Sequence, residues 1–142
     1  MTAIPTGAEY SAQRNTLVAV SGLPGYWANK SGGDIEGDTT DVYDGGQVRP
    51  VKLGGAPNTS NVTLQRPYKP SRDQAIRRDL SPLVNSWRTT LSEQDTDANL
   101  QPIGKPFTYP DALLVAVRAP ETDASSGDPK VIELEFAVSN IV

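Results

Sequence analysis

Residues 131–138 (VIELEFAV) alternate more strictly than any other stretch of the chain. Ile132, Leu134, Phe136 and Val138 fall on one face, and Val131, Glu133, Glu135 and Ala137 on the other. A period of two belongs to a half-buried strand, because a helix would scatter these residues around its axis. Residues 14–21 (RNTLVAVS) read as a second strand. Residues 112–118 (ALLVAVR) are almost continuously apolar and predict a central strand covered on both faces.

One helical pattern interrupts this β character. Ile76, Leu80, Leu83, Val84 and Trp87 recur at helical spacing. Ser71 and Gln74, three apart, have the form of a capping box. Pro82 lies inside the pattern and predicts a kink or split near Leu80. The plain reading of the stripe is a helix packed on a sheet.

Gly and Pro occupy 24 of 142 positions, which favours short elements joined by turns. Thr39–Tyr43, 61–65, 89–94 and 100–107 have strand character. Asp95 to Asn99 predict a hairpin turn, and Tyr109-Pro110-Asp111 another turn. The expected architecture is mainly β: a single domain over 1–142 of two packed antiparallel sheets, a β-sandwich or small barrel, with one flanking helix. Residues 1–13 read as an N-terminal arm.

Between Tyr43 and Arg66 the punctuation is dense: Tyr43-Asp44-Gly45-Gly46, then Pro50-Val51-Lys52-Leu53-Gly54-Gly55, then the short run 61–66. Residues 44–61 read as a long shaped loop, a contact device with no catalytic group in it.

The chain has no cysteine and no histidine. Disulfides, thiolate nucleophiles, cysteine- or histidine-ligated metals, and Ser-His-Asp or Cys-His catalysis are excluded. No catalytic, cofactor or metal residue is nominated. Asp34, Glu36 and Asp38 alternate like a calcium loop, but Thr39 and Gly45 stand where that pattern needs Gly and Glu. A net charge of −4 disfavours sequence-independent nucleic-acid binding. Lys69, Arg72, Arg77, Arg78 and Arg88 gather on and around the helix, reading as a solvated face or as partners for acids of a neighbouring subunit. Glu133 and Glu135 repeat a negative charge on the polar face of their strand. In a ring-forming protein that face would line the channel and repel phosphate. No apolar run reaches membrane-spanning length, so no membrane insertion is expected. Met1 to Arg14 has no signal-peptide pattern, which predicts folding in the cytoplasm.

The order Ser21-Gly22-Leu23, Tyr43-Asp44-Gly45-Gly46, Pro50 to Gly55, residues 61–66 and a helix with Leu83 and Trp87 resembles the tail tube proteins of contractile-tailed phages and related injection systems. Gly54-Gly55 stands where the family has Pro-Gly, and Pro67-Tyr68 follows Arg66 in place of glycine. The resemblance implies hexameric rings stacked into a hollow conduit through which genomic DNA passes on ejection. Its implied partners are further copies of the chain, the tail sheath, the tape measure protein, the baseplate and the tail terminator. Its implied location is the virion tail, with synthesis in the host cytoplasm. On this reading Glu133 and Glu135 face the lumen, and Gly45, Gly46, Pro50, Lys52, Gly54 and Gly55 form an inter-ring loop. The alternatives are an inner-tube protein of an extracellular or type VI injection system and, in another class, a small ligand-binding β-sandwich stacking on Tyr26, Trp27, Tyr43, Tyr68 and Tyr109.

Overall fold

In the computed structural model, which describes residues 10–142, nine strands and one α-helix follow the order β1 (Thr16–Val20), β2 (Tyr26–Trp27), β3 (Asn29–Gly32), β4 (Ile35–Val42), β5 (Val51–Thr59), β6 (Val62–Pro67), α1 (Pro70–Leu80), β7 (Arg88–Asp95), β8 (Phe107–Arg118) and β9 (Val131–Ala137). The expected mainly-β architecture with one helix is observed. Seven strands form one antiparallel sheet in the order β2-β1-β7-β8-β9-β6-β3, and β4 and β5 form a second sheet of two. The apolar strand 112–118 is central within β8, as its composition predicts.

The large sheet packs by curling on itself. Its first and last strands, β2 and β3, are consecutive in the chain, separated only by Ala28. Lys30 on β3 reaches Glu93 on β7, Nζ to Oε1 3.2 Å, although three strands lie between them in the sheet order. The same Nζ sits 5.2 Å from the centre of the Tyr109 ring on β8. The ladder stays open, so the sheet is deeply rolled but not a closed barrel. Inside the roll lie Val18, Val20, Val62, Leu64, Leu91, Leu114, Ile132, Leu134 and Phe136, all buried. The 131–138 alternation therefore places its core face as expected.

Helix α1 closes the core with Ile76 and Leu80. It stops at Leu80, and Ser81–Leu83 form a 3₁₀ turn, so Pro82 ends the α-helix where its missing N–H predicts. The capping differs from the sequence expectation. The N-cap is Lys69, and the carboxylate that accepts its backbone N–H (2.9 Å) belongs to Asp73; the Ser71 and Gln74 side chains are exposed. A buried aspartate that also binds arginines displaces the local capping box.

Three other segments depart from expectation. Residues 44–61 are a loop only at their start, since Val51–Thr59 pairs with Ile35–Val42 as a hairpin. Tyr109-Pro110-Asp111 lies within β8 and is accommodated as an irregularity in its pairing with β7, with Asp111 at φ 55°. Residues 100–106 form no strand; an isolated bridge from Thr96 to Pro102 is their only ladder contact. Of the expected N-terminal arm 1–13, residues 1–9 lie outside the described residues.

Candidate assembly surfaces

Two surfaces of the rolled sheet have no structural use within the chain. The first is the β4–β5 hairpin. Every residue of β4 is exposed, as is every residue of β5 except Thr59. At ~3.3 Å per residue the hairpin projects about 25 Å. Its register places Val42 opposite Val51 and Thr40 opposite Leu53 on one face, and Asp41 opposite Lys52 on the other. Asp41 and Lys52 are ion-paired at 2.6 Å. The outer half is thus amphipathic, yet Val42, Val51 and Leu53 remain 41%, 53% and 52% exposed. A two-stranded hairpin with no packed face is marginal alone in water, so this one is built to be covered.

The base of the arm is firmly set. Asp34 donates its N–H to Ser60 Oγ (2.9 Å), and Ser60 returns its N–H to Asp34 O (2.9 Å). Gly32 has φ +85°, and a Cβ there would lie 1.9 Å from Asn61 O, so only glycine permits the strand exchange. At the tip Asp44 accepts the Gly45 N–H (2.9 Å), and Gly46 takes φ +82°. Of the residues expected in an inter-ring loop, Gly45 and Gly46 occupy this tip, Pro50 precedes β5, and Lys52, Gly54 and Gly55 are strand residues facing solvent.

The second surface is the outer face of the large sheet. Cross-strand register aligns Asn29, Gln65, Glu133 and Arg118 in one row, and Ser31, Thr63, Glu135 and Ala116 in the next. Glu133 and Glu135 lie on this face together, half-buried, as the alternation predicts. They are not an unpaired acidic strip. Arg118 lies between them, 2.7 Å from Glu133 Oε2 and 3.0 Å from Glu135 Oε1. Gln65 donates to Glu133, and Asn61 Nδ2 donates to Glu135 at 3.1 Å. The hydrogen bond from Arg118, then that from Asn61, holds the Glu135 carboxyl below its ordinary range. The face is a polar, hydrogen-bonded wall whose two acids share one cation. Asn61 precedes β6, Gln65 lies on it and Arg118 comes from β8, and only the ladder brings all three against the two glutamates of β9.

A buried ion cluster ties the roll to the helix. Arg66 on β6 and Asp73 on α1 are 1% and 0% exposed, with Nη2 to Oδ1 at 2.6 Å. Arg66 also donates to Pro24 O at 2.7 Å, and its guanidinium lies 4.1 Å over the Trp27 ring. Arg72 forks onto Asp73 through Nε and Nη2, both at 3.0 Å. Burial acts to raise the Asp73 pKa, but hydrogen bonds from Arg72 and the Lys69 N–H, with the charge of Arg66, outweigh it and hold the carboxyl below its ordinary range. Burial pushes the Arg66 pKa down, opposed by Asp73. With every side of the carboxylate engaged by fixed donors, this cluster is a structural clamp.

The remaining sequence candidates do not assemble into a site. Trp27 and Tyr109 are core residues, while Tyr26 and Tyr43 are exposed on separate elements, so the tyrosines and tryptophan make no stacking platform. Asp34 precedes β4, and Glu36 and Asp38 lie along it. No group of three or more acidic side chains able to hold a metal ion occurs among the described residues. No helix among them is long and apolar enough to cross a membrane.

The rolled antiparallel sheet with its helix and projecting hairpin is a fold shared with chains of contractile injection systems. The chain is similar over 96% of its length to 92% of a chain in the sheath-tube complex of the PVC extracellular contractile injection system in the extended state (TM-score 0.78, 19% identity). It is similar over its whole length to 93% of a chain in the tube-terminating cap of the anti-feeding prophage (TM-score 0.81, 16% identity). Hcp1 from Flavobacterium johnsoniae shares the fold more distantly (TM-score 0.51, 14% identity, 89% of this chain and 92% of that one). By sequence, no family model and no curated protein matches the chain.

Proposed function

We propose that this chain is a structural subunit of the inner tube of a contractile tail or injection system, assembling with copies of itself as stacked hexameric rings around a hollow lumen. The observation that carries the reading is the β4–β5 arm, a glycine-anchored amphipathic hairpin that buries nothing in its own chain. A monomer gains nothing from such an element, whereas a closed assembly covers it. The polar face of Gln65, Arg118, Glu133 and Glu135 lines the lumen on this reading. Residues that satisfy one another's hydrogen bonds offer a moving cargo few free groups to hold.

The phage conduit, with genomic DNA in passage, and the injection-system tube share this construction. The resemblance to injection-system structures favours the second, as does the partial neutralisation of the acidic wall by Arg118. Sheath, terminator, baseplate and tape measure protein are the partners such a tube requires, and its role is mechanical, with no catalysis. Negative-stain microscopy of the concentrated protein, and of particles containing it, tests the proposal. Hollow rings or tubes are expected; a protein that stays monomeric and is absent from assembled particles refutes it.

A further inference from the structure

The tip of the β4–β5 arm sets one aspartate apart from all the others. The ladder ends at the pair Val42 and Val51, so residues 43–50 lie outside it. One turn hydrogen bond spans them, from the Gln47 N–H to Asp44 O at 3.0 Å. Asp44 is followed by Gly45, and no other Asp-Gly pair occurs in the sequence. Its geometry is also its own. Asp44 Oδ1 lies 2.9 Å from the backbone nitrogen of Gly45, the next residue in the chain. Among the described residues no other aspartate carboxylate accepts from the amide that follows it. Asp97 turns its Oδ1 to the N–H groups of Asn99 and Gln101, and Asp123 turns its own to Ser125. Asp73 is locked under two arginines. Asp128 precedes a proline, which has no N–H. Asp44 and Gly45 are both exposed, and no side chain shields the Gly45 nitrogen.

We propose that Asp44 is a site of spontaneous modification, isomerising to isoaspartate through a cyclic imide formed with Gly45. The Gly45 nitrogen attacks Asp44 Cγ, and the new N–Cγ bond closes a five-membered ring. The amide proton and the hydroxyl of the protonated carboxyl leave together as water. Water then opens the ring at either carbonyl. Opening at Cγ restores aspartate. Opening at the α-carbonyl leaves the chain running through Cβ and Cγ, with a free α-carboxylate. One water leaves and one returns, so mass and charge are unchanged, and no enzyme or cofactor takes part. Holding nucleophile and electrophile on adjacent residues makes ring closure unimolecular. The product has one extra carbon in its main chain, and the oxygen that accepts the Gln47 N–H becomes part of a carboxylate, so the turn is rebuilt. The ladder, which stops at Val42, stays paired. The reaction needs no assembly and stands apart from the tube reading. Where that reading holds, an arm covered by a neighbouring subunit loses the freedom that ring closure requires, so isoaspartate marks subunits left out of assembly.

Incubating the full-length free subunit in warm, near-neutral buffer tests the site. Isoaspartyl groups are counted by methyl transfer from labelled S-adenosylmethionine with an isoaspartyl methyltransferase, and placed by fragmentation mass spectrometry. Isoaspartate is expected at position 44, accumulating faster than at any other aspartate. Asp44→Asn reaches the same imide with loss of ammonia and converts faster. Asp44→Glu, whose ring would have six members, loses the signal. Gly45→Ala tests the attack itself. Gly45 does not use a positive φ and a Cβ there meets nothing, so the tip keeps its shape while the methyl obstructs the nitrogen, and conversion falls about tenfold. Circular dichroism confirms that each variant folds. No isoaspartate at position 44, an equal share at Asp38 or Asp41, or an unchanged rate in Gly45→Ala overturns the proposal while leaving the tube reading intact. Tubes whose tips convert as fast as free subunits overturn the protection by assembly. Protein that never forms tubes removes the tube reading and leaves this site standing.

Discussion

Removing the Asp73 carboxylate from under Arg66 is the sharpest perturbation of the fold. In Asp73→Ala the guanidinium, 1% exposed, loses its counter-ion and keeps only Pro24 O, a long contact to Tyr26 O and the Trp27 ring. Breaking one half of a buried pair costs about 3–5 kcal/mol. The same substitution strips the Lys69 N–H of its acceptor, a capping loss of about 1 kcal/mol. A combined cost of about 4–6 kcal/mol is a large share of the 5–15 kcal/mol that holds a domain together. Urea denaturation of Asp73→Ala and of the milder Asp73→Asn, read by Trp27 and Trp87 fluorescence, measures it. Arg66→Met with Asp73→Leu recovers most of the loss, since no charge is then left buried. The sign of the pH dependence follows from the depressed Asp73 pKa. Its contribution is complete above the ordinary aspartate range and is lost as pH falls through the folded value. Wild type therefore loses more stability than Asp73→Asn on acidification. A cost below about 1 kcal/mol for Asp73→Ala, or equal acid slopes, refutes the clamp.

Gly32→Ala drives a Cβ against Asn61 O and adopts a positive φ, so a loss of at least ~2 kcal/mol and faster hydrogen exchange at the arm base are expected, while Gly54→Ala, with open space around it, is nearly silent. Glu133→Lys with Glu135→Lys places three cations where Arg118 stood between two acids; the subunit folds but melts lower, more so at low salt, and cargo passage slows. Unchanged passage and ejection kinetics in that double variant show that the face does not line the lumen.

The core was legible in the sequence where one face of a strand is buried. Ile132, Leu134 and Phe136 announce themselves by alternation, and Pro82 announces the helix end. The arm was illegible as strand for the converse reason. With neither face buried, β5 has no reason to alternate, and Gly54, Gly55 and Pro57 read as breakers. Pro110 and Asp111 mislead similarly, because the irregularity in the β7–β8 pairing absorbs turn residues inside a strand. Glu133 and Glu135 could be placed on a polar face from spacing alone. Their neutralising partner Arg118 could not, since β8–β9 register is a property of the folded sheet. Nothing in the spacing marks Arg66 as buried, since its partner Asp73 is brought against it only by the turn between β6 and α1.

A cryo-EM map of the assembled protein tests the central claim most directly. A hollow hexameric tube is predicted, with Gln65, Arg118, Glu133 and Glu135 on the lumen wall and the hairpin 35–59 covered by a neighbouring subunit. A map in which the hairpin folds back on its own subunit, or in which the polar sheet face points outward, contradicts it.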